Sequence, residues 1–415
     1  MSTATFHVGD TRKVLARLAD EGTQVDLVMT SPPFLALRSY LPDDHPDKAS
    51  EIGSEATPAA FLSTLLDVTE ACAAVLAPHG SICVELGDSY SGSGGAGGDY
   101  GDGGLRDGQA KFTGSAKANR GAGNGWPLDK SLTLIPTLYA ASLAYGRNLL
   151  DPERTTDPWR IRNVVAWVRP NPPVGALGDK VRPATSYLTW ATRSRTRYFD
   201  LDAVRTSPSA NTHARVANGA PGRTDLPSQQ RDGNWITLPA VNESNPAGAP
   251  PLDWWSISPG GFSGSHYAVF PAELCRIPIE ASCPRRVCRT CGEPSRRMVD
   301  TVAGCGGLHQ SSGGGSSTIG GHPNGSASQM GMRNATTTGW TSCGCPGTEP
   351  DRLDGYHTDT GWRPGIVLDP FGGSGTTGIA ATGLSRDAIL IDLDERNLDL
   401  ARERLGMFLT EGVPA

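Results

Sequence analysis

No apolar run approaches the ~18 residues needed to cross a bilayer, and no basic segment followed by a short apolar core opens the chain. Neither a membrane span nor a secretory leader is therefore expected. Basic charge is not in excess either. With 37 Lys and Arg against 43 Asp and Glu, the net charge of −6 excludes a uniformly basic nucleic-acid coat, so any such contact must use local basic patches. Cysteine is scarce over most of the chain. Cys72 and Cys83 sit in apolar runs, as buried thiols do, and the other seven fall between Cys275 and Cys345. An odd, clustered set points to metal binding in a reducing compartment rather than to a disulfide framework. At 415 residues, one catalytic domain with large insertions fits the length.

The most informative stretch is GIVLDPFGGSGTTGIAATGLSRDAILID, from Gly365 to Asp392. Ile366-Val367-Leu368 has the pattern of a buried strand, ended by Asp369-Pro370. Phe371 to Thr376 is a glycine-rich turn, Thr377 to Leu384 suits a helix, and Ala388 to Ile391 is a second apolar run closed by Asp392. This order is half of a nucleotide-binding α/β unit, in which glycines admit a ligand to the backbone and the acid suits ribose hydroxyls. Gly373, Gly375 and Gly378 also satisfy G-x-G-x-x-G, a weak signal alone. The position of the stretch says more. Only 23 residues follow Asp392, too few for the rest of a doubly wound sheet, so the other strands must come from earlier in the chain. Val25 to Met29 supplies one, ending in Thr30-Ser31-Pro32-Pro33-Phe34.

Ser31-Pro32-Pro33-Phe34 after a hydrophobic strand, with Asp369-Pro370-Phe371-x-Gly373-Ser374-Gly375-Thr376 far downstream, resembles the beta class of DNA amino-methyltransferases. In that class the catalytic motif precedes the cofactor motif. The resemblance implies an α/β fold with a Rossmann-like, circularly permuted methyltransferase sheet. It implies S-adenosylmethionine as cofactor, double-stranded DNA as substrate, a bacterial or phage-infected cytoplasm as location, and admits a cognate restriction endonuclease as partner. The class methylates cytosine N4 or adenine N6, and serine at the first motif position is commoner in the cytosine group, so Ser31 favours cytosine. The Ser31 hydroxyl and Pro32 carbonyl would accept the amine hydrogens, Pro33 would fix the turn, and Phe34 would stack on an extruded base. No Pro-Cys nucleophile of the ring-carbon methylases is present.

Further matches to the class are His266-x-Ala268-x-Phe270-Pro271-x-Glu273, and Gly9-Asp10. They imply cofactor contacts by His266, Phe270, Pro271, Glu273 and Asp10, besides Asp369, Pro370, Phe371, Gly373, Ser374, Gly375, Thr376 and Asp392. Asp10 suits a helix N-cap equally well. Trp167-Val168-Arg169-Pro170-Asn171-Pro172, Arg182-Pro183 and Tyr198-Phe199-Asp200 also match, with Arg169 in place of the usual lysine. Asp151 to Arg205 holds ten Lys/Arg against six Asp/Glu. Arg169, Arg182, Arg193, Arg195 and Arg197 are therefore the expected phosphate contacts.

Four regions follow. Residues 1–206 form the catalytic half, interrupted by a glycine-rich, flexible insertion at 91–125. Residues 207–251 are a target-recognition region or a linker. Residues 252–282 and 363–415 form the cofactor half, and 283–362 a cysteine-containing insertion. Within the last, Cys288-x-x-Cys291 and Cys343-x-Cys345, 51 residues apart, are the expected ligands of a structural zinc, with Cys283 and Cys305 as substitutes. The six arginines from Arg276 to Arg297 could make it a second DNA-facing patch. A nicotinamide oxidoreductase would leave Ser31-Pro32-Pro33-Phe34 unexplained, and a zinc-stabilised DNA-binding protein without catalysis is the other alternative. The sequence leaves the oligomeric state open.

Overall fold

Opposite ends of the chain supply the middle of one nine-stranded sheet. The computed structural model describes residues 2–37, 40–41, 44–92, 124–172, 179–206, 230–231, 234–235, 248–259, 270–303, 333–348 and 361–412. Most of the glycine-rich insertion, most of the expected recognition region, His266 and Cys305 lie outside the described residues.

The first strands are β1 (Ala4–Val8), β2 (Val25–Thr30), β3 (Leu76–Leu86), β4 (Arg160–Val168) and β5 (Thr185–Thr192). Then come β6 (Gln230–Arg231), β7 (Asn234–Trp235), β8 (Trp254–Ser256), β9 (Val287–Cys288), β10 (Arg297–Ala303) and β11 (Arg333–Trp340). The last are β12 (Trp362–Arg363), β13 (Ile366–Asp369), β14 (Asp387–Asp392) and β15 (Leu409–Glu411). The large sheet has the order β15-β1-β14-β13-β2-β3-β5-β4-β8. All its strands run one way except β5, which is antiparallel to both neighbours, β3 and β4. β13 and β14 slot between β1 and β2, so the late half-unit completes the sheet begun at the N-terminus. This is the permuted, Rossmann-like order that the placement of the two motifs implies.

Helices cover both faces. α1 (Thr11–Asp20), α2 (Pro58–Val75) and α3 (Ile135–Tyr145) pack Val14, Leu15, Phe61, Leu66 and Tyr139 into one core. α4 (Ala272–Ser282), α5 (Thr376–Gly383) and α6 (Arg396–Leu405) bury Leu274, Ile279, Ala381 and Leu405 in the other. Strand alternation feeds both: Val28 points to the first core, Leu27 and Met29 to the second. Thr57 caps α2 by accepting from the Ala60 N–H, with Pro58 where its missing N–H costs nothing. By length and hydropathy (18 residues, 1.3) α2 could cross a membrane, although its sequence contains no unbroken apolar run. Half of it is buried inside the protein, as a core helix.

Pro78-His79-Gly80 does not delay the strand to Ser81: β3 already starts at Leu76, paired with Val25. Residues 77–80 stand opposite the single residue Asp26, because Leu27 next pairs with Ser81. Pro78 is thus accommodated in an irregularity where no ladder hydrogen bond is required of it. α3 ends at Tyr145, because Gly146 adopts a left-handed conformation (φ 68°).

Candidate active site

β13 and β2 are parallel neighbours, with Val367 beside Leu27 and Leu368 beside Val28. Asp369-Pro370 and Thr30-Ser31 therefore leave the sheet side by side at its C-terminal rim, where open α/β sheets bind ligands. The Thr30 hydroxyl donates to Asp369 Oδ1 at 2.6 Å, Thr377 Oγ1 donates to Oδ2 at 2.6 Å, and the Phe371 N–H donates to Oδ1 at 3.0 Å. Burial pushes the Asp369 carboxyl up to about 6, against the pull of these donors. Asp369 is fully buried and does not line the cleft, so it knits the two motifs together rather than facing a ligand.

The glycine turn follows. Gly373 and Gly375 have φ of 48° and 81°, a left-handed region costly for other residues. The Gly372 N–H donates to the Ile391 carbonyl at 2.7 Å, and a Cβ on Gly372 would lie 3.0 Å from that of Leu390. Arg404, on α6, spans the turn and donates to the Ser374 carbonyl and Thr376 Oγ1, both at 2.9 Å. No local motif marks Arg404, because thirty residues separate it from Ser374.

Ser31, Pro33, Gly373, Ser374, Thr376 and Asp392 line a single cleft above this rim. Pro370, Phe371 and Phe270 give it apolar wall, and Tyr40, Leu41 and Ile52 close the opposite side. That side comes from the segment after the Ser31 motif, whose irregular sequence gave no sign of such a role. Arg396 holds it by donating to the Tyr40 carbonyl at 2.8 Å.

Four carboxylates, Asp10, Glu51, Asp392 and Asp394, also line the cleft. Asp392 ends β14 and accepts from the Gly373 N–H (2.7 Å), the Asp394 N–H (2.9 Å) and Asn397 Nδ2 (2.9 Å). Burial pushes its carboxyl up to about 6, opposed by those donors. An ionised carboxylate offers about four acceptor sites, so three occupied sites leave room for one further donor. Asp10 caps α1 by accepting from the Arg12 N–H at 2.9 Å, and also grips that guanidinium (Nη2 to Oδ2, 2.7 Å). Burial raises its carboxyl, but Arg12 outweighs this and holds it below the usual range. The N-cap role is thus present, on a residue that also faces the cleft.

The Ser31 hydroxyl donates to Glu85 Oε2 at 2.6 Å. Glu85 is on β3, one residue beyond the Thr30–Val84 pair, and is buried. Burial raises its carboxyl, opposed by the Ser186 and Ser31 hydroxyls and the charge of Arg169. The one sequence signal for Glu85 is a charge inside the apolar run Ile82 to Leu86. With its proton directed at Glu85, Ser31 turns its lone pairs to other donors.

The remaining candidates separate. Pro32 lies over an apolar hollow with Val28, Tyr139 and Phe371, outside the main cleft. Phe34 also stands outside it, its ring so close to Gly87 that a Cβ there would be 2.6 Å away. Gly375 and Pro271 act at helix starts, and Glu273 pairs with Arg276 at 2.8 Å. Arg169 follows β4 and Arg182 precedes β5, both at the cleft rim. Arg193, Arg195 and Arg197 follow β5, whose reversed direction carries them to the opposite rim, where the Tyr198 N–H donates to the His79 carbonyl. Arg193 there pairs with Asp157 at 3.0 Å, and Arg197 lies over the Phe199 ring. The cysteine insertion docks at that same far rim: Gly365 abuts Pro284, and Arg297 grips Asp200. Its arginines therefore do not border the cleft. The Cys288, Cys291, Cys343 and Cys345 sulfurs lie within 4.8 Å of one another, a group that could hold a metal ion.

A parallel sheet with one reversed strand, and a glycine turn and Ser-Pro-Pro-Phe sharing its C-terminal rim, define a permuted amino-methylase architecture. The sequence profile of the N6/N4 methyltransferase family, described as DNA methylase, matches residues 25–293 and 362–403, and the chain belongs to this family. It is 29% identical over 200 residues to the type II methyltransferase M.SfiI of Streptomyces fimbriatus, a match spanning 48% of this chain and 38% of that relative. It is 26% identical over 279 residues to M.Cfr9I of Citrobacter freundii (67% and 72% covered). It is 21% identical over 398 residues to M.SmaI of Serratia marcescens (96% and 89% covered).

Proposed function

We propose that this protein transfers the methyl group of S-adenosylmethionine to an exocyclic amine in double-stranded DNA, site-specifically, with cytosine N4 favoured over adenine N6. The observation that carries the reading is Ser31, with its proton committed to Glu85, in one cleft with the glycine turn and Asp392. The donor set fits the cofactor. Asp392 retains an acceptor site for a ribose hydroxyl, and Phe270, Ile52 and Phe371 offer apolar surface to a ring, whereas the Asp10 oxygens are already engaged by Arg12 and Ser50. Four carboxylates in the same cleft oppose the pyrophosphate of a dinucleotide.

Bound S-adenosylmethionine supplies an electrophilic methyl. The protein's part is to make a weak nucleophile competent. An exocyclic amine delocalises its lone pair into the ring, and two acceptors on its hydrogens localise that pair toward the methyl. Ser31 Oγ is one acceptor, fixed by Glu85, and by resemblance of motif the Pro32 carbonyl, between the cleft-lining Ser31 and Pro33, would be the second. The base must leave the duplex to reach the cleft. Phe34 packs on Gly87, so Pro33, Tyr40 and Phe371 are better placed than Phe34 to receive its ring. Phosphate contacts fall to Arg169 and Arg182 at the cleft rim.

Ser31 favours cytosine by resemblance of motif, and the type II names of its relatives make site specificity and a companion restriction endonuclease the readings to pursue. Incubating random-sequence DNA with tritiated cofactor and separating the digested nucleosides tests both base and chemistry. Label in 4-methylcytosine is expected. Label in 6-methyladenine would reverse the base choice, and unlabelled DNA would remove the enzyme reading.

A further inference from the structure

The cysteine insertion leaves α4 and immediately re-enters the body. Val287–Cys288 pairs antiparallel with Trp362–Arg363, so the first thiol is tied to the chain that runs into β13. Between them the β10–β11 hairpin ends at Trp340 and delivers Cys343-Gly344-Cys345 back to Cys288-x-x-Cys291. Cys288 is buried, Cys291 exposed, and Cys343 and Cys345 partly covered. All four sulfurs fall within 4.8 Å of one another. A tetrahedron with metal–sulfur bonds of about 2.3 Å needs sulfurs roughly 3.8 Å apart, so small side-chain adjustments complete it.

The local backbone is built for this convergence. Gly292, directly after the first pair, and Gly344, inside the second, have φ of 72° and 81°. Neither is crowded: a Cβ on Gly344 would meet nothing within 4 Å, and one on Gly292 only Gln24 at 3.7 Å. Conformation, not space, asks for glycine at both turns. Polar groups also reach the sulfurs. The Thr290 N–H donates to Cys288 Sγ (3.4 Å), and the Thr348 hydroxyl, which donates to the Cys345 carbonyl (2.6 Å), lies 3.4 Å from Cys343 Sγ. Such outer contacts orient thiolate ligands and stabilise their charge.

We propose that Cys288, Cys291, Cys343 and Cys345 hold one Zn2+ as four thiolates, closing the insertion and pinning it to the strand that carries the glycine turn. The four thiol protons leave to solvent as the metal binds. All four positions are filled by the protein, which marks a structural site rather than one open to substrate. The pin connects directly to the sheet. Arg363, paired with Val287, donates to the buried Asp26 at 2.6 Å, and Asp26 also accepts from the Ile366 N–H (2.8 Å) and from His79 (2.9 Å). Asp26 thus joins β2, the irregular start of β3 and the entry to β13 at one point. Three residues beyond Ile366, β13 ends at Asp369 in the clamp beneath the cleft.

This inference stands apart from the methyl-transfer reading, and its test reads metal rather than activity. The full chain, purified without chelator or added metal, is expected to contain one zinc per molecule by elemental mass spectrometry. Titrating the thiols with an organomercurial should release that zinc into a colorimetric indicator. Cys291→Ser, at the exposed ligand, should lower zinc to below about a tenth of an equivalent and lower the unfolding temperature, as metal-coupled folding requires. Cys305→Ser should keep the full equivalent. Cobalt exchanged into the wild-type protein should show the absorption of a tetrahedral thiolate complex, a reading that needs no variant to fold. Substoichiometric zinc in the wild type, a Cys288–Cys343 or Cys291–Cys345 disulfide, or zinc loss in Cys305→Ser would each overturn the assignment.

Discussion

Ser31 shows where a sequence motif ends and a structure begins. The motif identifies the serine, but the partner that fixes its hydroxyl, Glu85, sits 54 residues away and reaches it only because β2 and β3 pair in register. Asp369 shows the converse. Its place in the glycine motif suggests a ligand contact, yet both its oxygens are used internally by Thr30, Thr377 and the Phe371 N–H. Asp392 keeps the expected position, and its environment makes that position measurable. Burial lifts its carboxyl to about 6 from 3.8. A ribose hydroxyl prefers the ionised acceptor, so ligand binding should pull the proton off. Cofactor affinity is therefore expected to rise with pH through about 6, by up to roughly tenfold for one linked proton per pH unit. Asp392→Asn should flatten that rise. Calorimetric titrations from pH 5 to 8 check it, and a flat wild-type profile would remove Asp392 from the contact.

At the level of elements, most strands and helices were legible because their apolar spacing is regular: α1, α2, β2, β13 and β14 fall where periodicity puts them. Direction was not legible. An apolar run such as Ser186 to Thr192 reads alike in either orientation, and only pairing with β3 and β4 shows that β5 is reversed. That reversal divides the basic segment. Arg169 and Arg182 lie at the same rim of the sheet as the cleft, while Arg193, Arg195 and Arg197 are carried to the far rim. Arg169→Ala and Arg182→Ala should each weaken DNA binding at all sequences and reduce the salt-dependence slope by about one. Arg195→Ala, exposed at the other rim, should leave both unchanged. Binding isotherms at several salt concentrations distinguish these outcomes, and equal effects from all three would mean that DNA reaches round the sheet.

For the whole molecule, the permuted order was the most secure deduction from sequence, since 23 residues after Asp392 cannot supply a sheet. The structure adds what permutation accomplishes. Residues 30 and 369, remote in the chain, share a hydrogen bond, and the walls of one cleft come from both termini and from the segment after Ser31. No periodicity or motif could foretell that Tyr40, Leu41 and Ile52 line the cleft, because Tyr40 is held by Arg396 from α6. Position in the fold likewise separates the cysteine insertion from the catalytic rim, which the cluster of arginines in its sequence did not suggest.

If the cleft comprises two adjoining half-sites, one for the cofactor and one for the amine, Ser31→Ala and Asp392→Ala should separate binding from transfer when their kinetics are measured side by side. Ser31→Ala should bind S-adenosylmethionine as the wild type does while methyl transfer to DNA falls at least about a hundredfold, the scale of losing one preorganised polar contact at a reacting centre. Asp392→Ala should show the reverse split, with cofactor affinity about tenfold weaker and turnover at saturation largely kept. Full turnover by Ser31→Ala, or equal loss of binding in both variants, would contradict the central claim.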